Sequence, residues 1–458
     1  MRLSESSFLL FASHALATPQ STTNKPVVQD GILQLALSTV PIEKELNTTS
    51  LNKRQVSAPV DKFKFAGPRP LAALGIELQI GTPAQKVLVE PDTGSSKLWI
   101  PGPLPGLPRK DTESTFFFRT ESSSAKDLNQ QETSSYASET VVLNMVTDEL
   151  SIGGISMGPI KFGVGDLTNP STRLGRVVGT MGLLPPTDAK SNEDFILKKL
   201  LDKKLVKSRA FSIALRNKGQ GALTFGGYDT SKFSGPLEKF AIQPTPAKHY
   251  IVEIQSVLFS DGKGGNQLVL DKQNVAGKPL AMGLDSGSPA FQLPTALSEV
   301  VAQKTGGTLK NAFLTFPCAV VDAKAAIDFK MTDKTTISIP LLDFVMSKLD
   351  NDKTCKLAVQ FGGKLPADLW IGGHFLRRAL VVYDPDNSNM YVARGADCGS
   401  SLVAIDGNMP TDVVLGKCPE EAPDFKGQGD KSPSPVPPVN AADVQVIAEP
   451  RVDKETNV

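Results

Sequence analysis

The stretch Val87-Leu88-Val89-Glu90-Pro91-Asp92-Thr93-Gly94-Ser95-Ser96-Lys97-Leu98-Trp99-Ile100-Pro101 decides the reading of this chain. A second stretch, Met282-Gly283-Leu284-Asp285-Ser286-Gly287-Ser288-Pro289-Ala290-Phe291-Gln292-Leu293-Pro294, answers it 193 residues later. In both, an apolar run of strand character delivers an aspartate to a Gly turn, and a short apolar run ending in proline carries the chain away. A third feature repeats as well: Thr180-Met181-Gly182 ends 90 residues after Asp92, and Trp370-Ile371-Gly372 ends 87 residues after Asp285. A single Asp-Thr-Gly is a common exposed turn. Two with matching flanks and a matching third element describe a duplicated lobe.

Working outward, short apolar runs recur about every ten residues from Leu71 to Phe240 and again from Ala241 to Ala404, separated by Gly, Pro and Ser clusters. That spacing predicts two all-β lobes. Two interruptions have helical spacing, Asn192–Leu201 and Leu341–Met346. The 49 basic and 48 acidic residues leave a net charge of +1, so charge alone recruits neither nucleic acid nor membrane. The three histidines, His14, His249 and His374, sit in no triad or zinc motif. Four cysteines, Cys318, Cys355, Cys398 and Cys418, read as two disulfides of a secreted protein.

The ends read differently. Residues 1–17 hold Arg2, the run Phe8–Ala12 and the small-x-small site Ala15-Leu16-Ala17, a signal peptide too short to span a bilayer. Residues 18–54 are polar, carry the glycosylation sequon at Asn47 and finish at the dibasic pair Lys53-Arg54. From 419 to 458 seven prolines lie among charged residues, which predicts a disordered tail, and no apolar terminus suggests a GPI anchor.

The repeat resembles the pepsin-like aspartic proteases of the fungal secreted type. Ile80-Gly81-Thr82-Pro83-Ala84-Gln85, Leu223-Thr224-Phe225-Gly226-Gly227-Tyr228-Asp229, Phe375-Leu376-Arg377 and Val381-Val382-Tyr383-Asp384 extend the likeness over most of residues 70–400. The resemblance implies a bilobal all-β fold with a central cleft, a first lobe at 55–240, a second at 241–418, and a monomer acting on proteins and peptides. It implies a zymogen whose pro-segment, 18–54, covers the cleft and is removed at Lys53-Arg54. It also pairs Cys318 with Cys355, leaving Cys398 for Cys418.

The implied chemistry needs no metal or cofactor. Two adjacent carboxyls, Asp92 and Asp285, share one proton because like charges at contact cannot both ionise. Between them they activate a water, for cleavage between apolar residues of an extended peptide in acid. Gly94 and Gly287 allow the tight turns, Thr93 and Ser286 join the two loops, and Ser95 and Ser288 are expected to donate to the outer carboxylate oxygens. Trp99 reads either as a core aromatic or as a wall beside the flap, the hairpin that closes the family's cleft.

Several positions depart from the family. The flap tyrosine should lie six residues before an Ala-Ser-Gly segment; counting back from Ala137-Ser138 lands on Gln131, so the tyrosine is expected to be absent. The flap tip is expected at Glu132-Thr133-Ser134-Ser135, without its glycine, and Tyr136 could substitute only through a register shift. Flap candidates are therefore Gln131, Thr133 and Ser134. Pro91 and Glu90 replace an apolar pair, with Glu90 expected to point away from the cleft. Pro289 and Gly373 stand where Ser or Thr and Asp are usual. Two readings result: an active secreted aspartic endopeptidase whose altered flap lowers its rate or redirects its specificity, or a catalytically weak homologue that binds peptides or proteins.

Overall fold

A computed structural model describes residues 27–29, 31–40 and 73–419, apart from 104–115, 137–139, 170–177, 216–219, 247–248, 272–276, 278–279, 289–291, 294, 311–312, 350–352, 359 and 362–368. The signal peptide, Asn47, Lys53-Arg54 and the tail beyond 419 lie outside the described residues.

The described residues of the first part of the chain are mostly strand: β1 (Val27–Gln29), β2 (Ile32–Val40), β3 (Ala73–Ile80), β4 (Gln85–Asp92), β5 (Leu98–Pro101), β6 (Lys126–Ser135), β7 (Thr140–Ile152), β8 (Ile155–Gly165) and β9 (Gly179–Gly182). β3, β4, β9, β5, β8 and β7 are neighbours in that order, and β7 returns to pair with β3 through Leu78↔Ile152, closing the lobe into a barrel. Val87 and Val89 of β4 point inward with no exposed surface, while Lys86 and Leu88, which alternate with them, are exposed and half-buried. That period of two is what a half-buried strand requires. β7 and β8 are joined by Gly153 and Gly154, whose φ of 60° and 78° make the two-residue turn that matches strand twist.

The same sheet continues between the lobes. β10 (Phe211–Leu215) and β11 (Gln220–Phe225) pair with each other, β10 with Ala379–Asp384, and that strand with Asn389–Gly395. β2 fills the place between β11 and β3, with Leu33, Leu35 and Leu37 buried. Part of the segment that the resemblance assigns to a pro-segment over the cleft thus contributes a central strand of the body.

Helices are few and short. The expected helix at 192–201 is two, α1 (Ala189–Glu193) and α2 (Ile196–Asp202). The break falls at Asp194, whose carboxylate accepts the Lys161 N–H of β8 and pulls the chain off the helical path. The Leu341–Met346 candidate is helical only to Phe344, and Val345 starts a strand.

The second lobe repeats the plan with strands Ile251–Ile254, Leu280–Leu284 and Leu369–Ile371 in one sheet. Cys318 is bonded to Cys355 and Cys398 to Cys418, closing loops of 37 and 20 residues. Loops of that length restrict the unfolded chain by about 3–4 kcal/mol each. One core of buried side chains runs from Leu33 through both lobes to Val392. A smaller cluster, Trp99, Val141, Leu143 and Met145, lies apart beneath the β6–β7 hairpin.

Candidate active site

Each aspartate is set by the same device. β4 runs parallel to β9 with Asp92 opposite Gly182, and the chain beyond β9 folds back so that the Leu183 N–H donates to the Asp92 carbonyl at 2.7 Å. Leu280–Leu284 runs parallel to Leu369–Ile371, and the Asp285 N–H donates to the Ile371 carbonyl at 3.0 Å. Gly182 and Gly372 are required at these crossings. A Cβ on Gly182 would stand 2.4 Å from the Ser96 carbonyl carbon, and one on Gly372 would stand 2.2 Å from the Ser288 carbonyl oxygen. This is why the sequence carries a glycine at a similar remove from each aspartate, 90 and 87 residues on.

Four hydrogen bonds join the loops. The Thr93 N–H donates to Ser286 Oγ at 3.0 Å and the Ser286 N–H to Thr93 Oγ1 at 2.8 Å. The hydroxyls then donate across, Thr93 Oγ1 to the Leu284 carbonyl at 2.9 Å and Ser286 Oγ to the Pro91 carbonyl at 2.7 Å. All four are buried, so neither loop can move without leaving polar groups unsatisfied.

The carboxylates meet within this frame. The Gly94 N–H donates to Asp92 Oδ1 at 2.8 Å, Ser95 Oγ to Asp92 Oδ2 at 2.6 Å, and the Gly287 N–H to Asp285 Oδ1 at 3.0 Å. A Cβ on Gly94 would lie 2.7 Å from Asp285 Oδ1, and one on Gly287 would overlap Asp92 Oδ1 at 2.2 Å. Each carboxylate is thus seated against the other loop's glycine, and both aspartates are 2% exposed. Ser288 is buried at the end of the second loop. Two like charges about 4 Å apart at an effective dielectric of about 20 repel by about 4 kcal/mol.

Sequence reasoning missed the floor of the site. The Tyr250 hydroxyl donates to the Leu183 carbonyl at 3.0 Å, tying the lobes together behind Asp92. Tyr250 packs edge-on to Tyr383, which stacks on Phe211, both at 4.8 Å between centroids. Burial raises the Tyr383 phenol well above its usual range, and the Asp285 charge adds to that, so it stays neutral. His249 packs edge-on to Trp370 at 5.2 Å; burial lowers its imidazole, and the Asp92 carboxylate opposes that shift. Tyr383 and Trp370 lie in motifs already noted, but His249, Tyr250 and Phe211 lie in none, and their meeting depends on strands distant in sequence. A cavity of about 650 Å³, lined by Pro185, Arg209, Pro244, Thr245 and Tyr250 among others, adjoins Tyr250 and is lined by neither aspartate.

The hairpin corrects the expected flap. Ser135 pairs with Thr140, so Glu132–Ser135 is strand and not the turn expected there. Gln131 lies on the exposed part of β6, donating to Asn144 at 3.1 Å, and Thr133 is exposed; neither reaches the site, while Ser134 is buried opposite Val141. The tyrosine is present: the Tyr136 hydroxyl accepts the Trp99 indole N–H at 2.8 Å. Trp99 is therefore both core and wall. Glu132 anchors the hairpin to Lys97 at 3.1 Å and Lys161 at 3.3 Å. Burial pushes its carboxyl up, but the two lysines outweigh that and hold it below its usual range.

Among the described residues no helix is long and apolar enough to cross a membrane, and no cluster of three His, Cys, Asp or Glu could hold a metal ion.

Comparison with known proteins gives the same picture. The family profile of eukaryotic aspartyl proteases matches residues 74–395. An acid protease of Saccharomycopsis fibuligera is 28% identical over 337 residues, covering 69% of this chain and 79% of that protein. Candidapepsin-3 of Candida albicans is 25% identical over 413 residues, 84% of this chain and 94% of its own. The aspartic proteinase yapsin-3 of Saccharomyces cerevisiae is 27% identical over 376 residues, covering 78% and 72% respectively.

Proposed function

Because the chain belongs to the eukaryotic aspartyl protease family and is an aspartic-type endopeptidase, we propose that it cleaves extended protein segments in acid with a water held between Asp92 and Asp285. The ionised carboxyl takes a proton from the water as its oxygen attacks the peptide carbonyl carbon. The protonated carboxyl gives its proton to the carbonyl oxygen, so a neutral gem-diol forms and the pair again holds one proton. Collapse transfers that proton to the departing amine nitrogen, and one hydroxyl of the diol returns its proton to the pair. The two sites titrate together, so acid and base are roles of the pair.

The observation that carries this reading is the mutual seating of the two carboxylates against Gly287 and Gly94. The Trp99–Tyr136 hydrogen bond favours an enzyme over a weak binding homologue, since the hairpin retains the tyrosine whose loss motivated that alternative. The substrate is protein or peptide. The protein is read as secreted and monomeric, processed after Lys53-Arg54, with no affinity for nucleic acid or membrane arising from its near-neutral charge. Processing there would sever β2 from the chain and leave it held only by its sheet partners.

The test is hydrolysis of an unfolded protein substrate across pH 2–7. Bell-shaped acid activity that is abolished in Asp92→Asn and in Asp285→Asn is the expected result. Activity retained in either variant overturns the assignment.

A further inference from the structure

The Tyr383 hydroxyl is fully buried and has no hydrogen-bond partner. An unsatisfied donor in a core weakens the fold, so its presence calls for an explanation. The neighbouring ring shows the contrast, since the Tyr250 hydroxyl donates to the Leu183 carbonyl at 3.0 Å.

Tyr383 sits within the strand Ala379–Asp384, opposite Phe211 on one side and Met390 on the other. Its ring is stacked on Phe211 with the planes 9° apart and is met by Tyr250 at 69°. Two rings thus fix the direction of the hydroxyl, which cannot swing to another partner.

What it faces decides its role. After burial, which raises the phenol, the groups that act on it are the Thr93 hydroxyl, which lowers it, and the Asp285 carboxylate, which raises it. Both belong to the frame of the carboxylate pair. Thr93 Oγ1 accepts the Ser286 N–H and donates to the Leu284 carbonyl. A hydroxyl oxygen accepts twice, so Thr93 has one acceptor place left and Tyr383 has one donor unused. The two face each other without reaching hydrogen-bond geometry in this structure. Bonds that support catalysis often tighten only as the reacting complex forms. Once made, this one would polarise the Thr93 hydroxyl and strengthen its donation to Leu284, the residue just before Asp285.

We infer that Tyr383 is a positioning residue for the carboxylate pair: its hydroxyl donates to Thr93 Oγ1 as substrate binds, and so holds the Asp285 loop against the Asp92 loop. The inference rests on the endopeptidase reading, and two measurements keep the two separable.

Tyr383→Phe keeps the ring stack and removes only the hydroxyl. The first measurement sets steady-state kinetics beside urea titration. A fall in kcat of about threefold to tenfold with KM unchanged is expected, the worth of one neutral hydrogen bond made in the transition state. The urea midpoint should stay level or rise, because an unsatisfied donor has left the core. In a Thr93→Val background, Tyr383→Phe should cost nothing further in kcat. A lower midpoint, an unchanged kcat, a loss confined to KM or additive losses each overturn the inference.

The second is calorimetric binding of two uncleavable peptides, one with the scissile bond replaced by a hydroxyethylene group and one with its deoxy ethylene counterpart. The hydroxyl of the first lies between the carboxyls, whereas the second only fills the cleft. Tyr383→Phe should cut the hydroxyl peptide's advantage by the same factor and leave the affinity of the deoxy peptide alone; an advantage untouched by the variant overturns the inference. If the natural chain cleaves nothing yet shows this loss, the positioning role stands and the protease reading fails. A natural chain that neither cleaves nor favours the hydroxyl overturns both.

Discussion

The indole N–H of Trp99 donates to the Tyr136 hydroxyl at 2.8 Å, fastening the chain at the end of β6 to the strand that leaves the Asp92 loop. Trp99 is fully buried with Val141, Leu143 and Met145. The end of β6 is thus held to β5 by a rigid core aromatic.

Tyr136→Phe keeps the ring and removes only the acceptor, leaving a buried indole N–H unsatisfied at a cost of about 1–3 kcal/mol. If that cost falls on the closed hairpin, kcat/KM drops by roughly tenfold to a hundredfold, since about 1.4 kcal/mol is tenfold. Trp99→Phe should give a similar loss, and the double variant little more, because both remove one bond. Steady-state kinetics on all three proteins is the check. Additive losses would show that the two residues act separately.

The crossed bonds between Thr93 and Ser286 make a second prediction. Ser286→Ala removes one acceptor and one donor at once, stranding the Thr93 N–H and the Pro91 carbonyl in a dry interface. Loss of stability by about 2–4 kcal/mol in urea titration is expected, with a fall in kcat larger than any rise in KM. Thr93→Val should behave alike. A full-rate Ser286→Ala enzyme would show that the carboxylates hold their places without the cross-lobe bonds.

What could be read from the sequence was what depends on neighbouring residues. The two Asp-Thr/Ser-Gly-Ser turns carry their own geometry, so Asp92, Asp285 and the joining hydroxyls stand out wherever the rest of the chain goes. Tyr136 was misjudged because its place follows from pairing between β6 and β7, which counting from Ala137-Ser138 cannot supply. The burial of Glu90, on the β4 face that carries Asp92, was open to the period-two rule and was missed by treating it as a substitution instead of a strand position. Tyr250, Tyr383 and Phe211 meet only after the inter-lobe sheet has formed, and β2 joins it from before the dibasic pair. No local pattern announces contacts of that range.

His374 carries the last prediction, which concerns survival in the acid where the proposed activity would operate. It is buried against Phe344 at 4.9 Å, and burial, with the Arg377 charge second, lowers its imidazole to about 3. An unfolded histidine takes its proton near pH 6.5. Between those values the unfolded chain binds a proton that the folded chain refuses, so stability falls as the pH drops from 6.5 towards 3. The full loss is roughly 5 kcal/mol and levels off once the folded imidazole also protonates. In His374→Leu this contribution disappears, and urea midpoints should decline less steeply over pH 6.5–3.5 than in the natural chain. Carboxylates titrate in both proteins, so the difference between the two slopes isolates the histidine. Parallel slopes would mean that the folded protein already accepts the proton at ordinary pH, through a water or a rotated ring, and that His374 sets no acid limit.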